Sequence, residues 1–166
     1  MKSLIGIIGF VISTAAGLPA FAADVPGVTD DVIKIGTFGP ITGSNFALGK
    51  LPMNGLEVVF DEVNATGGVH GRKLELIRVD DQCDPAGAIA AVRKLIFDDQ
   101  VFAIVGGSCS NAVLAAKKDI EDAGIPYVNF VAASNKISAP KLGNIFTSML
   151  TSNLESELQA QYLAEL

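Results

Sequence analysis

The sequence predicts an α/β fold in which an open parallel sheet carries helices on both faces. Short apolar runs rich in β-branched residues alternate with segments whose apolar residues recur at helical spacing. The composition agrees, since 49% of the residues are hydrophobic and 17 are glycine, while tryptophan is absent. The resulting order, β-α-β-α-β-α-β, implies right-handed crossovers and a ligand site beyond the carboxyl ends of the strands.

Five segments are predicted to be strands because each is short, apolar and bounded by turn-forming residues. Gly39-Pro40 ends the first, Asp80-Asp81 follows the second, and Gly106-Gly107 ends the third. The predicted strands are residues 32–38, 73–79, 102–105, 126–131 and 145–149.

Four segments are predicted to be helices from their apolar periodicity. Pro52 and Pro85 are placed in first turns, where proline is tolerated. Gly67-Gly68 ends the first helix and Gly124 the third. The predicted helices are residues 52–64, 85–97, 111–123 and an amphipathic segment, 153–166.

The first 22 residues have the pattern of a secretory signal peptide. A positive start at Met1-Lys2 precedes an apolar stretch, residues 4–16, and then a small-x-small sequence that ends at Ala22. The stretch is shorter than the roughly 20 apolar residues that span a membrane. We expect cleavage after Ala22 and export to the periplasm, with no direct membrane insertion afterwards. An uncleaved anchor or a lipoprotein is the alternative, although a lipoprotein would need a cysteine at the cleavage point.

The charge of the chain argues against several classes of partner. Cleavage would remove one of 12 basic residues and none of 18 acidic ones, which leaves a net charge of −7. An acidic surface without a basic cluster repels nucleic acid and anionic lipid. We therefore interpret the charge as a contribution to solubility, and residues 23–166 are enough for one domain with a core.

The sequence contains no recognisable catalytic, cofactor or metal motif. The glycines after the first strand match neither nucleotide-binding fingerprint, and Gly106–Ser110 lacks the glycine of a hydrolase nucleophile turn. His70 is the only histidine and gives no ligand spacing with the cysteines. Asp80, Asp81 and Asp84 could hold calcium, but capping of the following helix is the favoured interpretation. We expect neither an enzyme nor a cofactor.

Cys83 and Cys109 are the only cysteines in the chain. An even number is typical of disulfides in exported proteins. The two residues follow the second and third predicted strands, which we expect to be neighbours about 4.8 Å apart. Residues just past such ends can reach the Cα separation of about 5.5 Å that a disulfide needs. A disulfide is favoured, and a free pair of thiols is the alternative.

Five segments together carry a family resemblance. They are VIKIGTFGPITG (32–43), NATGGVHGRKLEL (64–76), VDDQCDPAGA (79–88), AIVGGSCS (103–110) and GIPYVNFVAASN (124–135). With them the chain resembles the amino-terminal lobe of a type I periplasmic solute-binding protein, of the leucine-binding protein-like group that serves branched-chain amino acid ABC transporters. Members of that family are more than twice as long and close two lobes over the ligand. The resemblance therefore implies an incomplete fold, with one lobe at 23–150 and the start of a second at 151–166.

The resemblance also implies a set of ligand contacts. Ser110 would supply a hydroxyl and a backbone N–H to the ligand carboxylate. Ala132 or Ala133 would supply a carbonyl, and Ser134 a hydroxyl and an N–H. Leu48 falls where the group often has an aromatic ring over the ligand, and the aligned cysteines of leucine-binding proteins form a disulfide. A helix amino terminus favours anions, which supports the assignment of Ser110, whereas a plain cap of its own helix is the alternative.

The implied function is non-catalytic. The protein would capture a hydrophobic or branched-chain amino acid, or a related small carboxylate, and deliver it to the membrane permease of an ABC transporter. The alternative is a ligand-sensing receptor domain of the same fold that responds to an amide or an amino acid.

Overall fold

A computed structural model describes residues 25–166, so the predicted signal peptide, residues 1–22, lies outside the described residues. The described part contains five strands and four helices, and a π-helical turn at Lys94–Asp98 continues the second helix. The strands are β1 (Val32–Gly39), β2 (Lys73–Asp80), β3 (Ala103–Gly106), β4 (Tyr127–Asn129) and β5 (Ile145–Thr147). The helices are α1 (Ala47–Ala65), α2 (Pro85–Arg93), α3 (Ser110–Ala123) and α4 (Ser152–Ala164).

The strands form one parallel sheet in the order β2-β1-β3-β4-β5, as the predicted fold class requires. One detail of the prediction was wrong, because β2 and β3 are not neighbours. The first crossover places β2 on one side of β1, and the second crossover passes β1 to place β3 on its other side. Sequence patterns identify strands without giving their order, so this reversal was not visible in the sequence.

Helices cover both faces of the sheet. Successive residues of a strand point to opposite faces, and β1 shows which helix lies on each. A Cβ at Gly36 would lie 2.8 Å from Leu95, in the turn that follows α2, whereas a Cβ at Gly39 would lie 3.3 Å from Met53 of α1. The helix α1 therefore lies on one face and α2 on the other, where α3 packs beside it.

The core lies between the sheet and the pair α2 and α3. Ile104, Tyr127 and Ile145 are in register across β3, β4 and β5, and each is at most 5% exposed. They belong to one buried cluster with residues of the two helices, among them Val92 and Val113. Burial of such side chains stabilises the fold by about 1.5–3 kcal/mol each.

The other face of the sheet is covered unevenly. Val105, Val128 and Phe146 are in register on the three strands β3, β4 and β5, and we call them the open row. Val105 and Val128 are half-buried, and Phe146 is 53% exposed. The helix α1 lies over β1 and β2 instead, where Arg78 of β2 pairs with Glu57 at 2.6 Å.

The element bounds differ from the predictions mainly at the start of α1 and at the ends of β4 and β5, where β5 ends at Thr147 and not at residue 149. The helix α1 begins at Ala47, five residues before the predicted start, and Pro52 lies inside it. The strand β4 ends at Asn129, because the Asn129 side chain bonds the Ala132 carbonyl and the chain turns there. The last helix is present, but none of its residues is buried. In residues 25–166 no helix combines the length and the apolar character needed to cross a membrane.

Candidate functional site

The predicted ligand-contacting residues all lie at the carboxyl edge of the sheet. Leu48 is in the first turn of α1 beyond β1, and Ser110 is the first residue of α3 beyond β3. The turn of residues 131–134 follows β4. Segments at this edge form the ligand sites of open α/β sheets, so these three constitute the candidate site.

A disulfide joins Cys83 and Cys109, whose Cα atoms lie 5.5 Å apart. The structure thus contains the bridge and not the free pair of thiols. The path by which the cysteines meet differs from the predicted one, because β1 lies between β2 and β3. The ends of these two strands are therefore about 9.6 Å apart, which is two strand spacings and more than a disulfide spans. Positive φ angles beyond the strand ends turn the chain, at Gln82 (53°), Cys83 (64°) and Gly107 (88°). The bridge thereby joins the two strands that flank β1.

The amino terminus of α3 presents unpaired hydrogen-bond donors. Its N-cap is Cys109, in an extended conformation, and no side chain within residues 25–166 caps the helix. Ser110 is therefore not the cap of its own helix, which was the alternative interpretation for it. The first N–H groups of a helix have no partner within the helix, and the helix dipole makes this end positive. Together with the partly exposed Ser110 hydroxyl, they are suited to an anion.

The turn after β4 separates the two candidate alanines. Ala132 is 2% exposed, its N–H donates to the Gly107 carbonyl at 3.2 Å, and its own carbonyl points inward. Ala133 and Ser134 are partly exposed. The Ala133 carbonyl accepts from the N–H of Ser152, the first residue of α4, at 2.9 Å. A carbonyl oxygen has two lone pairs, so Ala133 retains one acceptor position on the exposed side of the turn.

Asn129 organises this turn, and sequence reasoning missed it. Its side chain is fully buried at the end of β4, where Nδ2 donates to the Ala132 carbonyl at 2.7 Å and to Thr147 Oγ1 at 3.1 Å. Buried amides are generally hydrogen-bonded, and here the Nδ2 group is paired, whereas Oδ1 has no partner within the described residues. An asparagine at the end of an otherwise apolar strand is the signal that could have identified it.

The acidic turn after β2 serves the fold in two separate ways. Asp84 caps α2, because its Oδ2 accepts from the Gly87 N–H at 2.8 Å, which confirms the favoured interpretation of this turn. Asp80 holds the segment that leaves β1. Its Oδ1 accepts from the Ile41 N–H at 2.8 Å, and its Oδ2 accepts from the Thr42 hydroxyl.

The pKa values of the two adjacent aspartates shift in opposite directions. Partial burial acts to raise the pKa of Asp80, but the hydrogen bonds from Thr42 and the backbone outweigh it and lower that pKa below its usual value. Asp81 is fully buried, and one of its oxygens has no partner within the described residues. Burial raises its pKa, and the neighbouring charges of Asp80 and Asp84 act in the same direction.

The segment between β1 and α1, residues 40–48, forms a short arch at this edge of the sheet. Its residues from Thr42 to Leu48 are exposed, including the Phe46 and Leu48 side chains, which are each 48% exposed. Gly43 has a φ of 78° with open space around it, which permits the bend. Leu48, predicted to line the ligand, is therefore accessible, and Phe46 stands beside it on the same arch.

The comparisons with known proteins agree with this geometry. Residues 32–165 match the family model described as "Periplasmic binding protein". The chain belongs to that family. Proteins similar to it include the leucine-, isoleucine-, valine-, threonine- and alanine-binding protein of Pseudomonas aeruginosa. The identity is 31% over 135 residues, which are 81% of this chain and 36% of that protein.

Two solved structures show the same fold with different bound molecules. The branched-chain amino acid transporter substrate-binding protein LivJ from Streptococcus pneumoniae, in complex with isoleucine, has a TM-score of 0.69 at 28% identity, over 73% of this chain and 34% of that one. A solute-binding protein of an ABC transporter from Rhodopseudomonas palustris, in complex with 3,4-dihydroxybenzoic acid, has a TM-score of 0.66 at 27% identity, over 74% and 33%. The chain spans about a third of the length of these relatives.

Proposed function

We propose that this chain is the ligand-binding amino-terminal lobe of an extracytoplasmic solute-binding protein. It takes up a hydrophobic or branched-chain amino acid, or a related small carboxylate, without catalysis. A membrane permease of an ABC transporter then receives the ligand. The observation that carries the proposal is the uncapped amino terminus of α3, where Ser110 and unpaired N–H groups are positioned by the disulfide at the edge of the sheet.

The chemistry of the relatives supports a carboxylate as the common feature of the ligand. Isoleucine and 3,4-dihydroxybenzoic acid, which are bound to the two solved structures, share a carboxylate and differ in the rest of the molecule. In the proposed site Ser110 and Ser134 hold the carboxylate, and Ala133 offers a carbonyl acceptor to a donor group such as an ammonium. Ala132 contributes through its buried connection to Asn129 and Gly107.

The remaining parts of the proposal concern the ends of the chain. Residues 1–22 act as a signal peptide that is cleaved after Ala22, so that the protein works in the periplasm. Residues 23–150 form the lobe, and residues 151–166 begin a second lobe. The absence of any buried residue in α4 supports this division, because a helix that belonged to the first lobe would bury one face against it.

Calorimetry on the full-length natural protein tests the site. L-leucine, L-isoleucine and 3,4-dihydroxybenzoate serve as probes, and at least one of them should bind. Ser110→Ala and Ser134→Ala should each weaken that binding about tenfold or more, since a hydrogen bond to a charged group contributes about 1.5–3 kcal/mol. Ser138→Ala, in the loop beside Lys141 and Leu142, is the control and should leave the affinity unchanged. Equal affinities in all variants would refute the site, and a mature protein that does not begin at Ala23 would refute the cleavage point.

A further inference from the structure

Pro52 creates a specific defect in α1. In an α-helix the N–H of each residue donates to the carbonyl four residues earlier, and proline has no N–H. Pro52 is the sixth residue of α1, so the carbonyl of Leu48 lacks its normal donor. A backbone carbonyl left without a partner costs free energy wherever water does not reach it.

Ser108 supplies the missing donor from another part of the chain. Its hydroxyl donates to the Leu48 carbonyl at 2.9 Å, across a separation of 60 residues, and Ser108 itself is 6% exposed. The start of α1 also fits closely on the chain before it, because a Cβ at Gly49 would lie 2.3 Å from the Pro40 carbonyl oxygen. The arch is therefore fixed at its helical end by Ser108 and at its other end by Asp80.

Ser108 lies two residues before Ser110, in the turn between β3 and α3. The same short turn thus carries the proposed carboxylate site and the anchor of the arch. Because this turn is also bonded to Cys83 through Cys109, it can shift little without moving all three segments. The Leu48 carbonyl is consequently held by a side chain of the same turn that carries Ser110.

We propose that Ser108 is a positioning residue for ligand selection. It replaces the donor that Pro52 removes, holds Leu48 at a fixed distance from the carboxylate site, and so determines which ligand side chains the site accepts. This inference rests on the proposed function of the chain. Ser108 acts through Leu48 and has no role in holding the carboxylate.

The test measures selectivity in the full-length natural protein, with L-leucine and L-alanine as probes in calorimetry. Ser108→Ala should weaken leucine binding about fivefold, the typical value of one neutral hydrogen bond. Alanine binding should change less than about twofold in the same variant, because under this proposal Leu48 acts on the ligand side chain and alanine carries only a methyl group there. Thr66→Ala is a matched control, since it removes a hydroxyl-to-carbonyl bond of equal length, 2.9 Å, at the other end of α1.

A second variant separates the effect of Ser108 on the position of Leu48 from an effect on the stability of the whole fold. Pro52→Ala restores an N–H that can donate to Leu48 within the helix. In that background Ser108→Ala should leave the ratio of leucine to alanine affinity unchanged, and this comparison holds even if Ser108→Ala alone does not fold. The inference would be overturned if Ser108→Ala left the ratio of leucine to alanine affinity unchanged. It would also be overturned if Ser108→Ala lowered this ratio equally in the wild-type and Pro52→Ala backgrounds. In both cases the proposed function stands. A wild-type protein that binds no amino acid or carboxylate would overturn both.

Discussion

Replacement of Gly107 by alanine should destabilise the protein through two separate effects. Gly107 has a φ of 88°, and an L-residue in the left-handed region costs about 1–2 kcal/mol. The added Cβ would also lie 2.3 Å from the Tyr127 hydroxyl oxygen and 2.7 Å from Val113 Cγ2. Neither neighbour can withdraw easily, because both are fully buried. Overpacking of this kind costs about a further 1–3 kcal/mol.

Gly124 provides the matched control for the backbone effect. It has a φ of 63° but no atom within 4 Å of a Cβ built on it. Gly124→Ala should therefore lose only the conformational part, about 1–2 kcal/mol, whereas Gly107→Ala should lose about 2–5 kcal/mol in total. Urea unfolding followed by circular dichroism measures both losses.

A third variant tests whether the Tyr127 hydroxyl is the atom that the new methyl group at position 107 contacts. Tyr127→Phe removes the hydroxyl that donates to the Gly106 carbonyl at 3.1 Å, so in the wild-type background it should cost about 1 kcal/mol. In the Gly107→Ala background the same change should stabilise the protein, because it removes the atom nearest the new methyl group. Equal losses in the two glycine variants, or additive losses in the double variant, would refute the packing argument.

Two further predictions concern the disulfide and the adjacent carboxylates. Replacement of Cys83 and Cys109 by alanine should lower the free energy of unfolding by about 3.5 kcal/mol for a separation of 26 residues; a loss below about 1 kcal/mol in urea unfolding would contradict the loop-entropy account. Because burial raises the folded pKa of Asp81, the contribution of Asp81 to stability falls as the pH rises above 3.8, so Asp81→Asn should gain stability relative to wild type as the pH rises above that value. Because the folded pKa of Asp80 is lowered, its contribution is present at about pH 7 and lost on acidification, so Asp80→Asn should show the opposite trend. If the stability of both variants relative to wild type changed in the same direction with pH, the opposite pKa shifts of Asp80 and Asp81 would be contradicted.

The parts of the fold that follow from local patterns were predicted well. The start of β1 at Val32 and the end of α3 before Gly124 agree with the structure, because a β-branched run and a left-handed glycine are local signals. The start of α1 was predicted too late, since Pro52 was assigned to a first turn. In the structure the helix tolerates this proline because Ser108, distant in sequence, takes over the lost hydrogen bond.

The places of the candidate residues in the fold were predictable to a similar extent, and their contact with a ligand stays a prediction. Ser110 lies at the start of α3, as predicted from the glycine-rich end of β3 and the following helical pattern. The sequence could not show that the Ala132 carbonyl is bound by a buried side chain whereas Ala133 is partly exposed, because this difference depends on Asn129 and on the N–H of Ser152. The disulfide was predicted although the strand order was wrong, since the turns beyond β2 and β3 bring the cysteines together across β1.

The open row gives the sheet a gradient of local stability. The strand β1 has partners on both sides and a run of buried residues from Ile35 to Gly39, so its amides should be released only on global unfolding. The strand β5 has three residues, an edge position and the exposed Phe146, which are features of a segment that opens at low cost. The Asn129 carbonyl accepts from Ser148, and the Asn129 amide contacts Thr147, so an opening of β5 would loosen the turn that follows β4. The candidate site thus has two parts. The start of α3 is anchored on the disulfide next to β1, whereas the turn after β4 keeps its conformation only while β5, the least protected strand, stays in place.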